Sequence, residues 1–159
     1  MSNKITFITG DEMLLDDIGE LWEKLRRHHL EKSSDFRQHF KDTTFKERKE
    51  VLMNKAKAGK MFIVIACDGE DKIGYCVSSV VNKVGEIESI YVNPNYRKYR
   101  LGSTLMEKSL EWIKAKGIEK IILTVAAGNE EAFGFYSKFG FVPKQTELQL
   151  VPEDIENAN

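Results

Sequence analysis

Residues 85–104 read GEIESIYVNPNYRKYRLGST, and the rest of the chain is arranged around them. The first part, 86–92, alternates polar with apolar residues and is rich in β-branched and aromatic types, which is strand chemistry. Asn93-Pro94-Asn95 stops that strand, because proline has no amide to donate and biases its predecessor away from helix. A basic turn follows, Arg97-Lys98-Tyr99-Arg100. Leu101-Gly102-Ser103-Thr104 then opens an amphipathic helix with the apolar stripe Leu101, Leu105, Met106, Leu110 and Ile113, ending at Gly117. The first amides of a helix have no internal partner, and the macrodipole adds partial positive charge there. Strand, basic turn and helix N-terminus together make an anion site, and Gly102 lets a ligand approach the backbone closely. A solvated charged loop is the plainer account of the three cations; a clamp on a polyanion is the sharper one.

Upstream of this stretch, residues 4–9 (KITFIT) read as a first strand, and Asp11 is a helix cap. Leu14, Ile18, Leu21, Trp22 and Leu25 fall at helical spacing, and Arg26-Arg27-His28-His29 closes that helix with cations. The two histidines either line a cleft or form a solvated cap. Residues 32–44 carry no clear period. Thr44 with Glu47 has the spacing of a capping box, and the helix behind it buries Leu52, Met53 and Ala56 before stopping at Gly59. Residues 61–67 (MFIVIAC) and 72–81 (KIGYCVSSVV) are two further strands joined by a tight turn, so that three strands form a meander ending in the central one.

Downstream, 120–125 (KIILTV) is a buried-type strand. A strand, a helix and a further strand in this order imply a right-handed crossover and parallel pairing. The sheet is therefore expected to be mixed, with an antiparallel front and a parallel centre. Asn129 N-caps a last helix with Glu130 and Glu131 in its first turn. Ala132, Phe135, Tyr136 and Phe139 share one face of it, and Gly140 ends it. Residues 145–151 read as a final strand, and 152–159 as a polar tail.

Composition narrows the classes. The 159 residues, 42% hydrophobic and 31% charged, suit one globular domain with one sizeable core. A net charge of -1 argues against a dedicated nucleic-acid binder. No apolar run is long enough to span a bilayer, and MSNKITFITGDE lacks the apolar segment of a secretory signal, so a cytoplasmic protein with no membrane partner is expected. Cys67 and Cys76 both lie in apolar strand-like runs, where reduced, buried core thiols are expected and no metal site is.

Two ordered motifs carry a resemblance. The strand and loop ending Arg97-x-x-Arg100-x-Gly102 is similar to the (Arg or Gln)-x-x-Gly-x-(Gly or Ala) signature of the GNAT N-acetyltransferase superfamily, with Arg100 standing where the family has glycine. NEEAFGFYSKFGFV, residues 129–142, resembles the family's second block through Asn129, Ala132, Phe135, Tyr136, Lys138, Gly140 and Phe141. The resemblance implies a single α/β domain over 1–159, a twisted mixed sheet flanked by helices, with an acceptor-side segment at about 26–59 and a cofactor core at about 61–142. It implies acetyl transfer from acetyl-CoA to a primary amine, on a small molecule or a peptide, by direct attack in a ternary complex. Pantetheine amides would pair with the backbone near Ile90, Tyr91 and Val92. The pyrophosphate would rest on Tyr99, Arg100, Leu101, Gly102, Ser103 and Thr104, reinforced by Arg97 and Lys98, and Asn129, Phe135 and Lys138 would complete the cofactor site. Tyr136 matches the family's usual general acid. Glu88, with Glu86 or a water as alternatives, is the candidate base, subject to any bulge that turns it to the other face. A non-catalytic acyl-CoA sensor and an unrelated phosphate-ligand domain are the rival readings. A homodimer is left open.

Overall fold

The computed structural model describes residues 4–152; most of the expected polar tail, 153–159, lies outside the described residues. Five strands form one sheet in sequence order: β1 (Ile5–Gly10), β2 (Lys60–Asp68), β3 (Asp71–Val81), β4 (Val84–Val92) and β5 (Lys120–Leu123). The first four pair antiparallel and β4 pairs parallel with β5, which is the mixed sheet expected. Turn chemistry sets the meander. Gly69 takes φ 62°, and Asn82 and Lys83 take 50° and 64°, the two positive values that a tight primed turn requires.

Among the described residues, five α-helices cover the two faces. One face carries α1 (Gly19–Lys32) and α3 (Phe45–Ala58), with the short α2 (Arg37–Asp42) beside α1. Asp11 caps as expected, accepting from the Met13 amide at 2.9 Å, but the turn it starts is 3-10 over Glu12–Ile18 before α1 begins. Helix α1 also runs past the expected stop at His29 to Lys32. Thr44 and Glu47 form the capping box, the Glu47 amide donating to Thr44 Oγ1 at 3.2 Å. Leu15, Ile18, Trp22, Leu52, Ile63, Ile65, Tyr75 and Val77 close this half of the core. Burying each large apolar side chain contributes roughly 1.5–3 kcal/mol.

The other face is covered by α4 (Leu101–Lys114), whose whole predicted stripe is buried against Val64, Ala66, Cys76 and Ile87. Cys67 and Cys76 are both buried and free, and they face opposite halves of the core, which rules out a bridge between them. After β5 the structure departs from the sequence reading. The last helix is a 3-10 turn, Glu130–Ala132, followed by only five residues of α5 (Phe133–Ser137). Residues 145–151 are not a strand. Their alternating pattern is that of a strand, but no other strand pairs with them, and Leu148 and Leu150 are 91% and 92% exposed.

Candidate functional site

The parallel pair is short. β4 pairs with β5 only over Val84 to Ile87, then continues to Val92 with no strand beside it on that edge. The backbone of Ile90, Tyr91 and Val92 is thus open toward β5, the splay in which an extended ligand can add hydrogen bonds strand-fashion. Ile90 and Val92 turn their side chains to the α4 half of the core. Tyr91 turns to the other half and is 9% exposed, so only its backbone can serve that edge.

The splay leads into the N-terminus of α4. The expected basic loop is one 3-10 turn, Pro94–Tyr99. It is pinned by the Asn93 amide to the Ile73 carbonyl at 2.7 Å and by the Tyr96 hydroxyl to Asp68 at 2.6 Å. Arg100 then sits at φ 56°, ψ 30°, the left-handed conformation for which a glycine would be the relaxed choice. For an L-residue this costs roughly 1–2 kcal/mol. Arg100→Gly relieves that strain but frees the unfolded chain, an opposing effect of about 0.4–1 kcal/mol. The expected outcome is a melting temperature equal to or slightly above wild type, read by thermal denaturation; a clear loss of stability would refute the strain.

No side chain caps α4, and its first turn holds no acid. Its first amides therefore remain available to an anion, beside the exposed Arg97, Lys98 and Arg100. Leu101 is core, so it offers backbone only. Gly102 borders the aromatic side chains of α5: a Cβ there would stand 3.4 Å from Phe135 and 3.8 Å from Val92. Phe135 in turn stacks edge-on against Tyr136 and Phe139, each at 5.3 Å. This brings the end of β4, the start of α4 and α5 together. Lys138 lies exposed just after that short helix, as its C-cap.

Tyr136 packs on the α4 side of the sheet, with Cys76 near enough to be sensed; Cys76 pairs with Ile90 at the open part of β4. Burial, and then Cys76, push the phenol's pKa above its ordinary value, so the group carries its proton at neutral pH. Asn129 does not cap with its side chain. Its Oδ1 lies 3.2 Å from His28 Nε2, and the Gly128 amide is taken by the Glu130 carboxylate instead. His28 thus meets the second motif while staying partly exposed. His29 is half-buried against Phe40, and burial, followed by the electrostatic effect of the neighbouring His28 ring, lowers its pKa.

Glu88 is the residue the structure changes most. Val77 pairs with Ser89 and Ser78 with Ile87, so Glu88 is the extra residue of a β-bulge. The bulge sends Glu88 and Ser89 to the α1/α3 face together. There the Glu88 side chain is 1% exposed and meets Lys55 Nζ and Ser79 Oγ, each at 2.6 Å from Oε2, with Arg48 at 3.5 Å from Oε1. Lys55 also holds Glu86 at 3.0 Å, and Tyr75 and Ser89 share a hydroxyl contact of 2.7 Å. Burial works against the Lys55 charge, but its bonds to Glu88 and Glu86 outweigh that and raise its pKa. Glu88 and Tyr136 therefore lie on opposite faces of the sheet. Arg48 and Lys55 were missed in the sequence, although their spacing of seven residues, two helical turns, puts both on one face of α3.

The geometry can hold an extended polyanionic ligand along β4 with its phosphates on α4, a phenol on one side and a carboxylate network on the other. A family model described as the acetyltransferase (GNAT) family matches residues 21–141. The chain is 33% identical over 97 residues, 61% of its length, to a Bacillus subtilis protein provisionally described as a ribosomal protein bS18-alanine N-acetyltransferase. It is 28% identical over 142 residues, 87% of its length, to an uncharacterized N-acetyltransferase of Methanocaldococcus jannaschii. These matches span 64% and 60% of those relatives' own lengths. In fold it is similar to the PaiA N-acetyltransferase of Thermoplasma acidophilum in complex with coenzyme A, at TM-score 0.71 and 19% identity over 91% of this chain and 93% of that one.

Proposed function

The chain belongs to the GNAT acetyltransferase family, and from that premise we propose that it moves an acetyl group from acetyl-CoA to a primary amine, by direct attack in a ternary complex. The observation that carries this reading is the open edge of β4 running into an uncapped α4 N-terminus flanked by Arg97, Lys98 and Arg100. Acetyl-CoA supplies an activated thioester and a pyrophosphate handle. The residues present fit it: the amides of Gly102 and Ser103 open the helix toward the anion while the Thr104 amide is taken by the Arg100 carbonyl at 3.2 Å, three cations flank them, and one edge of 89–92 is free to pair with pantetheine amides. Phe135 limits the site from the α5 side. Asn129 and Lys138 border it.

Tyr136 stands as the acid, giving a proton to the departing sulfur. Glu88, through a water, stands as the acceptor of the ammonium proton. Segment 26–59 forms the acceptor side. We propose that the reaction takes place in the cytoplasm. Relatives are named for spermidine and for glucosamine 6-phosphate acetylation, so the test is acetyl-CoA consumption over a panel of polyamines, amino-sugar phosphates and peptides with a free N-terminus. Tight CoA binding with no turnover on any amine would favour a sensing module. Absence of CoA binding would sink the reading.

Gly102→Val tests the loop. Its Cβ would already touch Phe135 at 3.4 Å, and its two methyls add bulk beside the first amides of α4. Calorimetric titration should show acetyl-CoA binding largely lost in a folded protein. Arg97→Ala should weaken binding by about 1.5–3 kcal/mol, the loss of one charge-assisted hydrogen bond. Wild-type affinity in both variants would move the phosphates elsewhere.

A further inference from the structure

The loop before α5 meets the last turns of α1 at three points. His28 Nε2 lies 3.2 Å from Asn129 Oδ1, across 101 residues of sequence. Lys32 Nζ meets Glu131 Oε1 at 3.2 Å. Gly128, at φ 95°, passes so near α1 that a Cβ there would stand 2.2 Å from the Lys32 carbonyl oxygen, so only glycine lets the two backbones approach. The three contacts differ in what they can do. The backbone approach at Gly128 sets the separation of loop and helix. The ion pair is 39% and 62% exposed, where such pairs contribute little. The bond from His28 joins two half-buried side chains and fixes an orientation.

Asn129 uses its backbone for the turn itself. Its amide donates to the Ala126 carbonyl and its carbonyl accepts from the Ala132 amide, each at 3.0 Å. Its side chain caps nothing. A carboxamide oxygen only accepts and its nitrogen donates twice, so a donor held at Oδ1 decides which way round the group lies. His28 donates through Nε2 and so turns Nδ2 away from its own ring; among the described residues no side-chain hydrogen bond uses Nδ2. Two unspent donors thus stand at the head of the motif that carries Phe135 and Tyr136, and a carbonyl oxygen is their matching acceptor. We propose that His28 is a positioning residue for the cofactor: its Nε2–H holds the Asn129 carboxamide with Nδ2 presented to a carbonyl oxygen of the pantetheine arm. This rests on the acetyl-CoA reading given above. The role belongs to His28 and not to its neighbour, because the His29 ring packs on Phe40 at 5.5 Å. It also ties the acceptor-side helix α1 to the cofactor motif.

Calorimetric titration of the full chain compares acetyl-CoA with the CoA nucleotide lacking its pantetheine arm. His28→Met keeps bulk and deletes the donor. It should weaken acetyl-CoA about 3–10-fold, the loss of one neutral hydrogen bond, and leave the bare nucleotide unchanged. His28→Gln, whose amide nitrogen reaches where Nε2 stood, should restore the affinity. Asn129→Ala should weaken acetyl-CoA to a like degree, and His28→Met added to it should cost nothing more, since one side chain acts through the other. A wild type that binds neither ligand overturns the acetyl-CoA reading and this inference with it. Four outcomes overturn this inference alone while wild-type binding stands: acetyl-CoA affinity unchanged in His28→Met, an equal loss for the bare nucleotide, no restoration by His28→Gln, or additive losses in the double variant. A His28→Met protein that fails to fold while His28→Gln binds no better than Asn129→Ala makes the ring a structural post and overturns it too.

Discussion

Tyr136→Phe is expected to lower kcat by about 10²–10⁴-fold, the range for a positioned acid or base, with melting temperature and acetyl-CoA affinity close to wild type. The substitution removes one oxygen and keeps the ring, which packs against Phe135 at 5.3 Å and Phe141 at 6.4 Å. No described side chain depends on that hydroxyl for a hydrogen bond, so its loss leaves no buried partner unsatisfied. Charge develops on sulfur as the thioester breaks, and a phenol whose pKa burial has raised still holds a proton to give at neutral pH. The measurement is steady-state kinetics beside a thermal melt and a binding titration. Normal turnover in the variant would make Tyr136 a packing residue and leave the thiolate to solvent. Activity lost together with stability would equally deny the catalytic role.

Much of the fold could be read from local chemistry. The α4 stripe, the three-strand meander and the Thr44 capping box follow from periods and turn residues within a few positions of one another, and each is present. What escaped was non-local. The bulge at Glu88 depends on how β3 and β4 slide into register, and nothing in ESI announces it. Lys55 lies 33 residues from Glu88, and their 2.6 Å contact exists only once α3 lies on the sheet. Asn129 has the chemistry of a cap, but His28, 101 residues away, takes its side chain. The apolar alternation at 145–151 predicted a strand, but a strand needs a paired neighbour, and this segment pairs with none in the structure. The loop shows the opposite case. The arginine at position 100 hides a left-handed turn that a glycine would have advertised.

Glu88→Gln should slow acetyl transfer most at low pH, by roughly 10²-fold or more, with the deficit shrinking as pH rises toward the acceptor amine's own pKa. The sign follows from the substrate. Below its pKa, near 10 for an alkylamine, the acceptor is an ammonium and must lose a proton before attack; above it, no base is needed. The geometry leaves one carboxylate oxygen for that work. Oε2 is taken by Lys55 and Ser79 at 2.6 Å each, while Oε1 has only the long 3.5 Å contact with Arg48. With the side chain 1% exposed, the proton must arrive through a water at the bulge rather than by direct contact. The competing account is an ion-pair network that simply fastens α3 to β4. Breaking a buried pair by removing one partner costs about 3–5 kcal/mol, less here because Lys55 retains Glu86 and is itself one-third exposed at 33%. The two accounts part in their readouts. A fastener lowers the melting temperature and leaves the shape of the pH–rate profile unchanged. A base changes the profile's slope while acetyl-CoA affinity holds. A Glu88→Gln protein with a parallel profile and a lowered melting temperature would remove Glu88 from the chemistry and leave Glu86, through the same lysine, as the next carboxylate to test.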